Sequence, residues 1–340
     1  MSLKKIAEMT GVSVSTVSRV LNNRDYNCAS EEVKDRIWAA AEKIQYVPNE
    51  SARNLKKGNK ANGGTPARSL AIILERFESL DDDPFFRELY RSVEQEAFSR
   101  GCMISGVQVL DARRGNTEAL KSRGNLADGY IILGRSSPQT LSHLKAIGKN
   151  IVSISRNPTH FEIDEIICDG RSAAERAIEY LISKGYRRIG YIGDCSYEDR
   201  YVGYCDTLIR NGLPMDYANI IPSDQTAKGG CAAMKKLLEQ KTADAVFCAN
   251  DATAIGALQG WREYRADKQY ARKTAPLPAL ISIDDIRAAA EVTPSLTTVH
   301  VPHEDMGKTA VKVLLDRIEK GHTENIRVEF PSRLVIRESC

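Results

Sequence analysis

The feature that most constrains this chain is a rhythm that begins after residue 68. Short apolar runs alternate with amphipathic helical stretches: "SLAIILE", "MISGVQV", "GYIILG", "NIVSIS", "RIGYIG", "DAVFCAN" and "ALISID". Runs of this length, separated by helices, are buried parallel strands with helices on both sheet faces. About 270 residues of this pattern exceed one open sheet of ordinary size. Two similar doubly wound α/β subdomains are therefore expected, with a ligand between them near the carboxyl ends of the strands. One helix is expected over 84–100, ending at Gly101.

The first 68 residues read differently. Helices are expected over about 3–9, with Ser2 as N-cap, and over 14–22, with a turn at Gly11 between them. A third follows Ser30, with Val33, Ile37, Ala40, Ala41 and Ile44 on one face, and Pro48 stops it. Residues 49–57 form at most one short helix, which is marginal alone in water. Residues 58–68 carry three glycines, a proline and polar residues, the composition of a linker. The organisation expected is a head over 1–48, a hinge helix and linker over 49–68, and the α/β body over 69–340.

Charge separates the same parts. Residues 1–60 hold 11 basic and 7 acidic residues, net +4, whereas the whole chain is +3 and the remaining 280 residues sum to −1. A basic head on a near-neutral body suits a polyanionic partner. Apolar residues make up 42% and charged residues 27%, a soluble globular balance. No apolar run approaches the length of a membrane span, and no secretory signal is visible, so a cytoplasmic location is expected. The eight cysteines form no C-x-x-C pair and sit at no metal-ligand spacing with a histidine, so they read as reduced and structural. No metal or cofactor site is expected.

Two short helices around a glycine turn are a helix-turn-helix, whose second helix enters the DNA major groove. In "GVSVSTVSRVLNN" (11–23), Val17, Val20 and Leu21 are placed toward the other head helices. Ser13, Ser15, Thr16 and Ser18 are then free to bond phosphates or bases, and Arg19 to reach a guanine with both arms of its fork. Small residues allow close approach. From these residues alone, an N-terminal helical bundle with a serine-rich helix remains the alternative.

"LKKIAEMTGVSVSTVSRVLNN" followed by "VKDRIWAAAEKIQYVPNESARNLKKG" resembles the head of the LacI/GalR family of bacterial transcription regulators. "KGYRRIGYIG", "RYVGY", "FCANDATAIGAL", "ISIDD", "PSLTTVHVPHEDMG" and "RLVIRES" extend the resemblance over the body. It implies a dimeric repressor of a pseudo-palindromic operator, with a body like a periplasmic sugar-binding protein. It also implies a hinge helix that orders on DNA, with Leu55 as a minor-groove wedge and Ala52 packing beside it. Tyr46 and Asn49 resemble backbone contacts, and Val14 and Ser15 hold the operator-dependent positions. The DNA-binding set expected is thus Val14, Ser15, Thr16, Ser18, Arg19, Asn22, Tyr46, Asn49, Ala52 and Leu55. Two departures stand out. The loop "NNRDYNCASEE" is about two residues longer than usual, and "ISIDD" lacks the glycine-tyrosine common before the aspartate pair.

The resemblance assigns effector contacts to Arg200, Asn250 and Asp284, with Arg200 and Asp284 expected on opposite sides of the cleft. Asp251, next to Asn250, also reads as an ordinary helix N-cap. Gln225 stands where relatives often carry an aromatic ring, and Phe85, Arg156, His303 and Met306 complete the candidates. Asp, Asn and Arg together complement vicinal hydroxyls, which favours a sugar or sugar phosphate over a nucleobase or another metabolite. Truncating Arg200 is expected to leave the melting temperature nearly intact. An enzyme is not expected: no Walker loop, G-x-S-x-G elbow or metal motif occurs. A transport-type sugar-binding protein would carry a secretory signal and no basic head. No leucine-heptad tail follows "LVIRES", so a tetramer of that kind is not expected.

Overall fold

A computed structural model describes residues 3–14, 16, 17, 20, 29, 30, 32–34, 36, 37, 40, 68–75, 79, 80, 83–110, 127–148, 150–159, 161–196, 198–240, 242–266 and 276–340. The chain divides into two compact units, residues 1–66 and 67–340.

In the first unit, helix α1 spans Leu3–Thr10. Gly11 follows at φ +70°, a left-handed conformation that glycine adopts without a Cβ clash, and it turns the chain. The described residues 14, 16, 17 and 20 are helical, as are 32–34, 36, 37 and 40. Ile6, Ala7, Val17, Val20, Ile37 and Ala40 form one buried cluster, with Val33 packed against it. This is the expected face of the second and third helices meeting the first. Ser13 Oγ accepts a hydrogen bond from Thr16 N at 3.1 Å and lies 2.8 Å from Thr16 Oγ1. Ser13 is therefore an N-cap, and its hydroxyl and that of Thr16 are engaged with each other. Val14 is exposed, at 44%. Ser15, Ser18, Arg19, Leu21, Asn22, Tyr46, Asn49, Ala52 and Leu55 lie outside the described residues.

The second unit contains two sheets of six strands. The first has the order β11-β5-β4-β3-β1-β2 and the second β12-β10-β9-β8-β6-β7. Strands β1 to β5 are Ser69–Leu74, Met103–Val109, Gly129–Leu133, Ile151–Ser155 and Asp164–Ile167. Strands β6 to β10 are Ile189–Gly193, Ile220–Pro222, Ala245–Cys248, Ala279–Asp284 and Thr297–His300. Strands β11 (Arg327–Glu329) and β12 (Arg333–Val335) complete them. All pairings are parallel except β12 with β10, and strands β3, β4, β5, β6, β8 and β9 are buried along their whole length. A strand covered by helices on both faces has no wet side, hence the unbroken apolar runs.

The helices are α2 (Pro84–Ser99), α3 (Pro138–Ile147), α4 (Gly170–Ser183), α5 (Asp199–Arg210), α6 (Ala227–Gln240), α7 (Asp251–Ala266), α8 (Arg287–Glu291) and α9 (His303–Ile318). Helices α6 and α7 touch backbone to backbone. A Cβ on Gly256 would lie 1.8 Å from Ala227 O, which is why that position carries glycine. The chain passes between the subdomains three times, because α4 packs on the second sheet, α9 packs on the first, and β11 and β12 belong to different sheets. Among the described residues the seven cysteines are free, no acidic, cysteine or histidine group fits a metal ion, and no helix is long and apolar enough to cross a membrane.

Candidate functional site

The carboxyl ends of the strands carry most of the candidate residues. In the second subdomain, Glu198 caps α5 just after β6, and Arg200 folds back onto it with Nε 2.7 Å from Glu198 Oε1. The same guanidinium donates to Ala249 O at 2.7 Å and to Gln225 Oε1 at 3.1 Å. Burial disfavours its charge, but Glu198 outweighs that and holds the proton on Arg200 more tightly than usual. Gln225, after β7, sits at φ +65° and is buried. Its carbonyl accepts from Asn250 Nδ2 at 3.1 Å, so the segments after β6, β7 and β8 are tied together.

Asn250 is the N-cap of α7: its Oδ1 accepts from Thr253 N at 2.9 Å and from Thr253 Oγ1 at 2.5 Å. Asp251, the residue that read as a cap, does another task. It is fully buried and accepts from Ser282 Oγ (2.5 Å), Thr298 Oγ1 (2.6 Å) and Ile286 N (2.9 Å). Burial pushes its carboxyl up to about 6 against those hydrogen bonds. It thereby ties β9, β10 and the turn after β9 together. Asp284 closes β9 at φ +131° and Asp285 follows at φ +60°, two consecutive non-glycine residues in a conformation that L side chains rarely adopt. Asp285 turns away to His300 Nδ1 (2.9 Å) and Arg337 Nη2 (2.5 Å), which hold its carboxyl below the usual range although burial opposes them.

Asp284 instead forms an ion pair with Arg156, which follows β4 of the first subdomain. Both are buried. Burial raises the Asp284 carboxyl to about 7, opposed by Arg156 and reinforced by Asp251 and Asp83. The Arg156 guanidinium also lies over the Phe85 ring, 4.5 Å from its centroid. Phe85 is held at the start of α2 by Asp83, whose Oδ1 accepts from Phe85 N at 2.9 Å. The His303 ring meets Phe85 edge-on at 5.9 Å, and its Nε2 is 3.5 Å from Glu88 Oε2. At the rim, Arg135, after β3, approaches Asp194 at 3.7 Å and Ser196 O at 3.4 Å, both after β6 of the other subdomain.

Two expectations are corrected by this geometry. Arg200 and Asp284 stand on the same subdomain, after β6 and β9, and the residue facing Asp284 from the other side is Arg156. Arg200 is 1% exposed and bound to three groups, so its truncation should lower the melting temperature rather than leave it nearly intact. Met306 is buried among the apolar core residues and brings no polar group to the cleft. Glu198, Arg135 and Asp194 were missed. Glu198 had a signal, since an acid two residues before an arginine at a helix start can cap the helix and pair with the arginine.

Residues 2–49 match the family described as "Bacterial regulatory proteins, lacI family", and residues 178–340 match the "Periplasmic binding protein-like domain". The HTH-type transcriptional repressor MelR of Bacillus subtilis (strain 168) is 30% identical, covering 99% of this chain and 97% of that protein. The ribose operon repressor of Escherichia coli (strain K12) is 29% identical over 100% of this chain and 99% of its own length. A solved complex of the transcriptional regulator CelR with cellobiose superposes at a TM-score of 0.69, with 25% identity and full coverage of both chains. With a DNA-binding head, a two-subdomain body and a relative matched from end to end, the chain belongs to the lacI family of bacterial regulatory proteins.

Proposed function

We propose that this protein is a transcriptional repressor that acts as a homodimer on a pseudo-palindromic operator in the cytoplasm and is switched by a sugar held between its subdomains. As a member of a family of regulatory proteins, it is a DNA-binding regulator and not an enzyme. The observation that carries the effector reading is that Arg200, Gln225 and Asn250 are bonded together at the ends of β6 to β8, while Asp284, at the end of β9, pairs with Arg156 from the other subdomain. A ligand contacting both walls binds one arrangement of the subdomains better than another, and that difference is all it can use to shift the equilibrium. The related ribose operon repressor and the CelR–cellobiose complex support a sugar.

For the head, the proposed reading is that residues 49–57 form the hinge helix and that Leu55 wedges the minor groove. Two-fold symmetry doubles the few base-reading side chains that one head presents.

The test selects DNA from genomic fragments with the purified protein, then measures affinity across salt and with ribose, cellobiose and a purine base. Affinity falling steeply with salt and changing roughly 5- to 150-fold with a sugar is the expected outcome. Arg19→Ala should cost about 1–3 kcal/mol and relax one base position, and Leu55→Ala should reduce bending. Failure to select any fragment, or a complex containing a single protomer at saturation, refutes the reading.

A further inference from the structure

A buried polar atom without a hydrogen-bond partner is costly, and one that lies beside a candidate ligand site is a candidate contact for that ligand. Among the described residues, Asn157 Oδ1 and His303 Nδ1 are two such atoms. Both belong to residues that neighbour the candidate site. A Cβ added to Gly170 would lie 3.5 Å from Asn157 Oδ1 and 3.2 Å from Arg200 Cγ, so the carboxamide oxygen and the Arg200 stem flank the same small space. His303 leans on Phe85, the ring beneath the Arg156 guanidinium. In the tautomer whose Nε2 donates toward the Glu88 carboxylate, 3.5 Å away, Nδ1 is an acceptor. Two acceptors require two donors.

The charges around them are already matched. Arg200 faces Glu198, Arg156 faces Asp284, and Arg135 at the rim faces Asp194. A phosphate or carboxylate would have to displace one of those acids, and its oxygens carry no hydrogen to give to Asn157 or His303. Hydroxyl groups carry one each.

We propose that Asn157 and His303 are specificity-determining effector contacts, each accepting a hydrogen bond from a ligand hydroxyl, and that the effector is an uncharged polyhydroxy compound rather than a sugar phosphate or sugar acid. This rests on the reading of the cleft as the effector site.

The experiment uses the full chain and four variants: Asn157→Ala, Asn157→Asp, His303→Phe and His303→Gln. Melting temperature and operator affinity are titrated with ribose, cellobiose, ribose 5-phosphate, cellobionic acid and a purine base. The parent should respond to a neutral sugar and bind its anionic counterpart at least about tenfold more weakly. Asn157→Ala and His303→Phe should raise the half-saturating sugar concentration about tenfold, the loss of one hydrogen bond. Without sugar, the melting temperature of Asn157→Ala should equal or exceed the parent's, because an unpartnered atom has been removed; a structural role would lower it. Asn157→Asp and His303→Gln, which keep an acceptor, should lose less. Unchanged half-saturation in Asn157→Ala and His303→Phe, or equal response to the anionic probes, overturns the proposal while leaving a sugar-switched regulator intact. A response to the purine base alone overturns the polyol class and the sugar reading together, and leaves a ligand-switched repressor.

Discussion

Arg156 and Asp284 meet in the interior although β4 and β9, which deliver them, belong to different sheets. The pair is therefore a chemical link across the cleft, set over the Phe85 ring on one side and on a left-handed backbone turn on the other.

Its two halves should not be equally dispensable. Asp284→Asn leaves a buried guanidinium without a counter-charge, and breaking such a pair typically costs about 3–5 kcal/mol. Arg156→Ala leaves a carboxyl that already titrates near 7 and can retain its proton. An acid whose folded pKa lies above its unfolded value destabilises the fold as pH rises from the unfolded toward the folded value. Arg156→Ala should thus lose little stability at pH 6 and more at pH 8, whereas Asp284→Asn, which removes the titrating acid, should lose less at pH 8 than at pH 6. Denaturant unfolding at the two pH values decides it, and identical pH profiles for the two variants would refute the asymmetry.

Arg200 calls for a stability measurement as well as a binding one. Arg200→Ala removes the cation paired with Glu198, which is as buried as the arginine, and the donor to Ala249 O and Gln225 Oε1. We expect a loss of about 3–5 kcal/mol, visible as a lower melting temperature without any ligand. Arg200→Lys keeps the charge but not the fork, so it should recover only part of the loss. A parental melting temperature for Arg200→Ala would show that the three contacts are not maintained in solution.

At the amino ends of the first sheet, Asp164 is completely buried between Arg317 (Nη2 at 2.7 Å), Ile326 N (2.8 Å) and His322 Nε2 (3.0 Å). Burial opposes ionisation of Asp164, yet these donors hold its carboxyl below the usual range. Burial likewise disfavours charge on His322, but Asp316 and Asp164 raise its pKa above 6.5. The signs follow from linkage. The Asp164 contribution is present above pH 3.8 and is lost as pH falls through its depressed value. The His322 contribution is present below pH 6.5 and is lost as pH rises through its raised value. His322→Gln should cost more stability at pH 6 than at pH 9. Equal losses at the two values would place the interaction in shape rather than charge.

The strands and their helices were legible because burial on both faces writes itself as unbroken apolar runs, from "SLAIIL" to "ALISID". Asn250 and Asp284 were legible as strand-end residues, but not their tasks. Periodicity does not reveal that Asn250 caps α7 while Asp251, one residue later, binds β9 and β10. Nor does it show which strand end lies opposite which. Arg156 and Asp284 are separated by 128 residues, and only the repeated crossing between sheets brings them together. The burial and bonding of Arg200 had one local clue, Glu198, and its other two partners are far along the chain.

The head offers a test that separates folding from recognition. Ser13 is exposed, and its hydroxyl caps the second helix through Thr16 N at 3.1 Å. Ser13→Ala should cost about 1 kcal/mol of head stability, the usual consequence of losing such a cap. Aspartate is as good a cap as serine, and its charge is favourable at a helix N-terminus. Ser13→Asp should therefore match the parent in far-ultraviolet circular dichroism and in the stability of the isolated transition of the head. If the second helix enters the groove as proposed, the same carboxylate would stand beside the phosphates. Affinity for the selected operator should fall about tenfold through like-charge repulsion, more at low salt than at high. Circular dichroism, operator affinity at two salt concentrations and the Ser13→Ala control together give the answer. If Ser13→Asp is folded and binds as tightly as the parent at low salt, the amino end of the second helix does not face the phosphates, and the placement of the recognition helix must be redrawn.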